Sequence, residues 1–204
     1  LGRPASMNYT LVQESLNYFS LALQYESKSK IFARTLETLQ RIAQLYPDQS
    51  YVDFEKYRFF EYLVKKIHEF SAPNDPSYLT FLKFLNSYFR LNDLPQLSLI
   101  KLLNSPEFTA LLISKLQSED GIEVSYSLKA LNKITTTLGK DGVTDLTTWN
   151  KDFFEGIDKV YKRFRTSIRQ EAMLLIGNIL DLDSDDLKRK VIASDLIPTS
   201  IDQF

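Results

Sequence analysis

The chain of 204 residues has no cysteine, one histidine, one tryptophan and two methionines. Without cysteine, disulfides, thiolate metal sites and cysteine nucleophiles are excluded. The lone histidine, His68, cannot assemble a usual zinc site of three or four ligands, and it reads as a solvated helix-face residue. Glycine and proline are scarce too, at six and seven. Breakers this sparse leave long uninterrupted elements, which favours helices over many short strands. A surplus of one charge sign is also missing: 25 Lys+Arg stand against 26 Asp+Glu. No whole-molecule field therefore draws the chain to nucleic acid or to an anionic membrane. No run approaches the ~20 apolar residues that span a bilayer, and the start lacks the layout of a secretory signal. Gly-rich phosphate loops, Gly-x-Ser-x-Gly elbows and His-Glu-x-x-His motifs are absent, so neither catalysis nor a cofactor is expected. The expected home is the cytoplasm or nucleus.

What is present is a chain of helical periods. Residues 1–6, before Met7, read as a cloning remnant. Over 10–25, Leu11, Val12, Ser15, Tyr18, Phe19, Ala22 and Leu23 recur at steps of three and four, the mark of one helix face. A second helix is expected over 30–46, with Ile31, Leu36, Leu39, Ile42 and Ala43 inside and Pro47 as its stop. A third is expected over 52–70, then a turn at Ala72-Pro73-Asn74-Asp75-Pro76 and a fourth helix over 77–90. Twelve aromatics fall between Tyr51 and Phe89, and they read as the packing of bulky helices rather than a stacking surface.

From Leu94 the pattern becomes a repeat. A short helix over 95–104 precedes one opened by Ser105-Pro106-Glu107, with proline in its first turn. That helix carries Phe108, Leu112 and Leu116. The next, over 123–138, carries Val124, Leu128, Leu131 and Ile134 and is ended by Gly139 and Gly142. Adding 45 maps Phe108, Leu112 and Leu116 onto Phe153, Ile157 and Tyr161. It also maps Ser127 onto Ala172, and Leu128, Leu131 and Ile134 onto Met173, Ile176 and Ile179. A period near 45 with one short and two longer helices marks stacked helical repeats. A third copy begins at Asp185 with a short helix over 187–192. Pro198, Ile197, Ile201 and Phe204 would open its second helix, so a truncated last repeat of a longer array is expected.

The segment Glu171-Ala172-Met173-Leu174-Leu175-Ile176-Gly177-Asn178-Ile179-Leu180 resembles the third helix of an armadillo repeat. Val191-Ile192-Ala193-Ser194-Asp195-Leu196-Ile197-Pro198 is similar to that family's link between first and second helices. The resemblance covers 94–204. It implies a right-handed, all-α solenoid of armadillo/HEAT type over 7–204, with 7–92 as a divergent helical cap. It also implies a concave groove lined by the third helices, about 123–138 and 167–180, with Lys129, Lys133, Arg169, Leu174 and Asn178 as contact residues. Asn178 matches the family's peptide-holding asparagine, while the preceding copy has Lys133. Leu174 and Lys129 stand at the family's tryptophan position. These departures point to a folded partner rather than an extended peptide.

A second surface is basic. Lys159, Lys162, Arg163 and Arg165 lead into Arg169, and Lys188, Arg189 and Lys190 continue the run in the next copy. Lys159, Lys162 and Arg163 share a helix face. They read as solvated faces with internal pairing, or as a docking patch for a partner's acidic segment. The function expected is a non-enzymatic protein-binding scaffold, such as an adaptor, assembly chaperone or co-chaperone. Two alternatives stand beside it: a nucleic-acid-binding repeat using the basic stripe with Tyr161 and Phe164, and a regulatory subunit of an enzyme complex.

Overall fold

The computed structural model describes residues 9–25, 29–66, 76–91, 97–142, 151–182 and 185–194. Among the described residues every regular element is an α-helix, so the chain is all-α. His68, most of the 72–76 turn, Pro95 and the apolar residues expected after Asp195 lie outside the described residues. The chain divides into two compact units, residues 1–102 and 103–204, with the boundary inside one short helix.

The first unit contains α1 (Tyr9–Tyr25), α2 (Ser29–Leu45), α3 (Pro47–Lys56), α4 (Phe59–Lys66), α5 (Pro76–Leu91) and most of α6 (Leu97–Leu103). Helix α2 is its centre, packing on α1, α3 and most extensively α5, while α4 closes against α1 and α3. Pro47 does stop α2, but it also opens α3 at the first helical position, where its missing N–H costs nothing. The aromatics form the core. Phe54, Phe59, Phe60, Tyr78, Phe81 and Phe84 are fully buried, and Tyr88 stacks on Phe54 at 5.7 Å and meets Phe60 edge-on at 5.0 Å.

Two expectations fail here, each for a physical reason. The single helix over 52–70 is broken at Tyr57 and Arg58, where Arg58 takes a left-handed backbone (φ 56°). One straight helix would turn about 100° per residue and set Phe54 on the side opposite Phe59, Phe60 and Leu63. All four are fully buried, and the break re-aims α4 so that one core receives them. The face expected to turn inward on α1 is also only partly right. Val12, Leu16, Ser20 and Leu23 are buried, whereas Leu11 and Tyr18 are exposed. Apolar residues occupy both sides of α1, so periodicity alone does not choose the inner one.

Polar side chains tie α1 to α3. Asp53, buried, accepts from the Tyr9 hydroxyl at 2.7 Å and from Gln13 Nε2 at 3.1 Å. Ser20 Oγ donates to the Tyr57 carbonyl at 3.2 Å, near the end of α3.

The second unit contains α7 (Pro106–Lys115), α8 (Gly121–Gly142), α9 (Lys151–Arg163), α10 (Thr166–Asp181) and α11 (Asp185–Ala193). Helices α7 and α9 begin 45 residues apart, and so do α8 and α10. The offset carries burial with it: Phe108, Leu112, Leu116, Phe153, Ile157 and Tyr161 are all buried, as are Ser127 and Ala172. Met173 departs, since it is exposed where Leu128 is buried. Ser105 caps α7, its Oγ accepting the Phe108 N–H at 3.3 Å while Pro106 fills the first turn. Helix α8 runs through Gly139 to Gly142 instead of stopping at Leu138. One glycine in a helix interior costs about 1 kcal/mol, too little to end a helix of this length.

The layers lock through α8 packed on α7 and α10, and α9 packed on α7 and α10. Gly156 lets α9 approach α7 closely: a Cβ there would lie 2.8 Å from Leu116 Cβ. Lys115 and Glu123, both nearly buried, form an ion pair at 3.2 Å that joins α7 to α8.

Candidate interaction surface

Helices α8 and α10 lie side by side and present most of the residues expected in the groove. Four polar side chains stitch them together. Asn132 Nδ2 donates to the Glu171 carbonyl at 3.0 Å, and Asn178 Nδ2 donates to Asn132 Oδ1 at 2.9 Å. Lys129 Nζ lies 4.0 Å from Glu171 Oε1 and 5.5 Å above the Tyr126 ring. Lys129 and Asn178 both lie at the α8–α10 contact, each engaged by a different residue of the neighbouring helix. Lys133 is half-buried on α8. Arg169 is half-buried in the first turn of α10, and its Nε is enclosed without a hydrogen-bond acceptor.

The open part of this surface lies one step around α10. Gln170, Leu174, Gly177 and Asp181 follow at steps of four, three and four, and all are exposed. Leu174 is 55% exposed, with Met173 at 37% on its flank. A Cβ on Gly177 would meet nothing within 4 Å. Beyond Leu174, sequence reasoning missed this stripe, since it read Met173 as core. It also missed Asn132, which lies 46 rather than 45 residues before Asn178 and so falls outside the offset.

The basic residues divide differently. On α9, Lys159 Nζ donates to Gln117 Oε1, Lys162 pairs with Asp158 at 2.5 Å, and Arg163 lies 3.8 Å from Glu119. Lys159 and Arg163 thus reach to the turn between α7 and α8. Arg165 sits at the N-cap of α10 in extended backbone, its side chain exposed and making no capping bond. On α11, Lys188 is half-buried and Arg189 and Lys190 are exposed.

Among the described residues no group of three or more His, Asp or Glu is placed to hold a metal ion. No described helix is long and apolar enough to cross a membrane. The phenols of Tyr9 and Tyr88 are raised above the usual range, chiefly by burial. Both belong to the first unit.

Packed helices joined by interhelical amides, with an exposed stripe on α10, define an all-α protein among the described residues. No family model matches the chain, and no curated protein matches it. A crystal structure of an engineered protein from the Northeast Structural Genomics Consortium is similar in fold, with a TM-score of 0.68 and 15% identity. The match covers 97% of this chain and 76% of that one. At that identity the likeness concerns the helical fold alone.

Proposed function

We propose that this chain is a non-enzymatic protein-binding scaffold built as a right-handed α-solenoid of armadillo/HEAT type, acting as an adaptor, assembly chaperone or co-chaperone. The repeated pairs α7–α8 and α9–α10, begun 45 residues apart, support the architecture. The observation that carries the function is the exposed stripe of α10, where Leu174 projects beside the bare backbone at Gly177. An apolar side chain next to a glycine is a knob beside a hole, and a partner helix can seat a large side chain on that glycine. Asn178 is committed to Asn132, so the partner is a folded surface or helix rather than an extended peptide held by an asparagine ladder.

The nucleic-acid reading draws less support, because Lys159, Lys162 and Arg163 already engage acceptors in their own unit. A regulatory subunit of an enzyme complex would use the same α10 surface.

Affinity purification with identification of the retained proteins tests the reading. Leu174→Asp is expected to weaken the retained partner roughly 30-fold, the effect of about 2 kcal/mol at a central contact, with the unfolding midpoint unchanged. Full retention of every partner by this variant would remove the surface from the proposal. Binding that falls steeply with salt and is lost on charge reversal at Arg163 and Arg165 would favour the nucleic-acid reading instead.

A further inference from the structure

We infer that Thr166, at the head of α10, is a phosphorylation site for an arginine-directed protein kinase, and that Arg169 clasps the phosphate it receives.

The sequence around Thr166 carries one sign of charge. From Lys159 to Gln170 the chain has Lys159, Lys162, Arg163, Arg165 and Arg169 and no acid. Arg163 stands three residues before Thr166, and Arg165 directly before it. Kinases of this class hold upstream arginines with carboxylates of their own, and the forked guanidinium gives each contact direction as well as charge. An acid within the segment would oppose that contact, and none is there.

Structure decides which hydroxyl can be reached. Lys133 stands three residues before Thr136, but Thr136 Oγ1 already donates to the Asn132 carbonyl at 2.9 Å inside α8. Lys115 stands three residues before Ser118, but its ammonium is nearly buried against Glu123. Thr166 has neither obstacle. It is exposed, and its hydroxyl makes no hydrogen bond among the described residues. It lies at the break between α9 and α10, where Arg165 already has extended backbone (φ −84°, ψ 174°). A kinase groove takes its substrate extended, so only the first turn of α10 has to loosen, and helix ends fray at little cost. Arg163 is on offer as well. Its pair with Glu119 is long, at 3.8 Å, and Glu119 is 90% exposed, so the contact is solvated and easily exchanged.

In the transfer, Thr166 Oγ1 attacks the γ-phosphorus of ATP, and the kinase's catalytic carboxylate takes the hydroxyl proton. The bond from that phosphorus to the bridging oxygen breaks, and ADP leaves. Thr166 then bears about two negative charges at pH ~7. Helix α10 has a place for them. Its first turn has no side-chain cap, and the amide end of a helix favours an anion. Arg169 follows three residues on, a step that brings side chains together on one side of a helix. Arg165 and Arg169 enter no ion pair among the described residues, and Arg169 Nε is enclosed without an acceptor. A phosphate on Thr166 supplies this guanidinium with one. The site does not depend on what docks against α10.

Incubation of the folded full chain with ATP and the catalytic domain of a calmodulin-dependent kinase, which reads arginine at this spacing, tests the site. One phosphoryl group is expected, located at Thr166 by fragmentation mass spectrometry. Thr166→Ala is expected to abolish it with an unchanged unfolding midpoint, and Ser167→Ala to keep it. Arg163→Ala is expected to slow labelling about tenfold or more, the scale of one lost charge-assisted contact. Phosphorylation is expected to raise the unfolding midpoint by about 2–4 °C. In Arg169→Ala chains most of that rise between the unmodified and phosphorylated forms is lost. No label on the folded chain, or label at Ser167 in place of Thr166, overturns the site. A labelling rate indifferent to Arg163 overturns its part in recognition. An unchanged midpoint, or a rise that survives Arg169→Ala, overturns the clasp.

Discussion

Asn132 shows how much one side chain decides. It donates to the Glu171 carbonyl and accepts from Asn178, so a single amide carries two of the polar links between α8 and α10. Removing one partner of a hydrogen bond costs about 1–3 kcal/mol when the other group stays buried. Asn132→Ala is expected to lower stability by about 2 kcal/mol in urea unfolding, and Asn178→Ala by about 1 kcal/mol. A double-mutant cycle should return a coupling of roughly 1 kcal/mol; additive losses would mean that the amides do not act on each other. Asp53 plays the same part between α3 and α1. Tyr9→Phe removes its shorter hydrogen bond, of 2.7 Å, and is expected to cost about 1–2 kcal/mol in the same measurement.

At the scale of the element, three backbone positions give contrasting expectations. Gly156 sits where a Cβ would press on Leu116 Cβ at 2.8 Å, so Gly156→Ala is expected to destabilise by about 1–3 kcal/mol despite alanine's better helix propensity. Gly177 has open space around it, and Gly177→Ala is expected to stabilise α10 by up to about 1 kcal/mol. Thermal unfolding of the two variants should therefore move in opposite directions. Arg58 holds a left-handed backbone at φ 56°, which costs a non-glycine residue about 1–2 kcal/mol. Its ion pair with Glu61 is long, at 3.9 Å, and largely solvated, so it offsets little. Arg58→Gly is expected to raise the unfolding midpoint by about 2–4 °C. This break between α3 and α4 was not legible in sequence, because 52–66 contains neither glycine nor proline. Only the shared burial of Phe54, Phe59, Phe60 and Leu63 forces the chain to turn there.

At the scale of the whole molecule, two raised phenols among the described residues lie in the first unit, on Tyr9 and Tyr88. A tyrosine whose folded pKa lies above its unfolded value of about 10 favours the fold while protonated. That contribution is complete below pH ~10 and is lost as pH rises above it toward the folded value. Tyrosinate absorbance and far-ultraviolet circular dichroism followed together should show these two phenols ionising only as helix content falls. Tyr88→Phe should flatten the alkaline loss; ionisation of every tyrosine near pH ~10 with helices intact would contradict it.

Sequence by itself determined the class of secondary structure and the 45-residue rhythm of the second unit. Both are local or repeated properties, written in the spacing of apolar residues and the scarcity of breakers. It also marked the residues around α8 and α10, but not their employment. Lys129 and Asn178 were legible as residues of two neighbouring third helices, whereas their engagement by Glu171 and Asn132 depends on how those helices lie against each other. Packing likewise decided that Leu128 is covered and Met173 open, though both stand at the same place in the repeat. On α1 two apolar sides satisfied one helical period. Tertiary structure alone chose which entered the core, because burial requires a neighbour and periodicity does not name one.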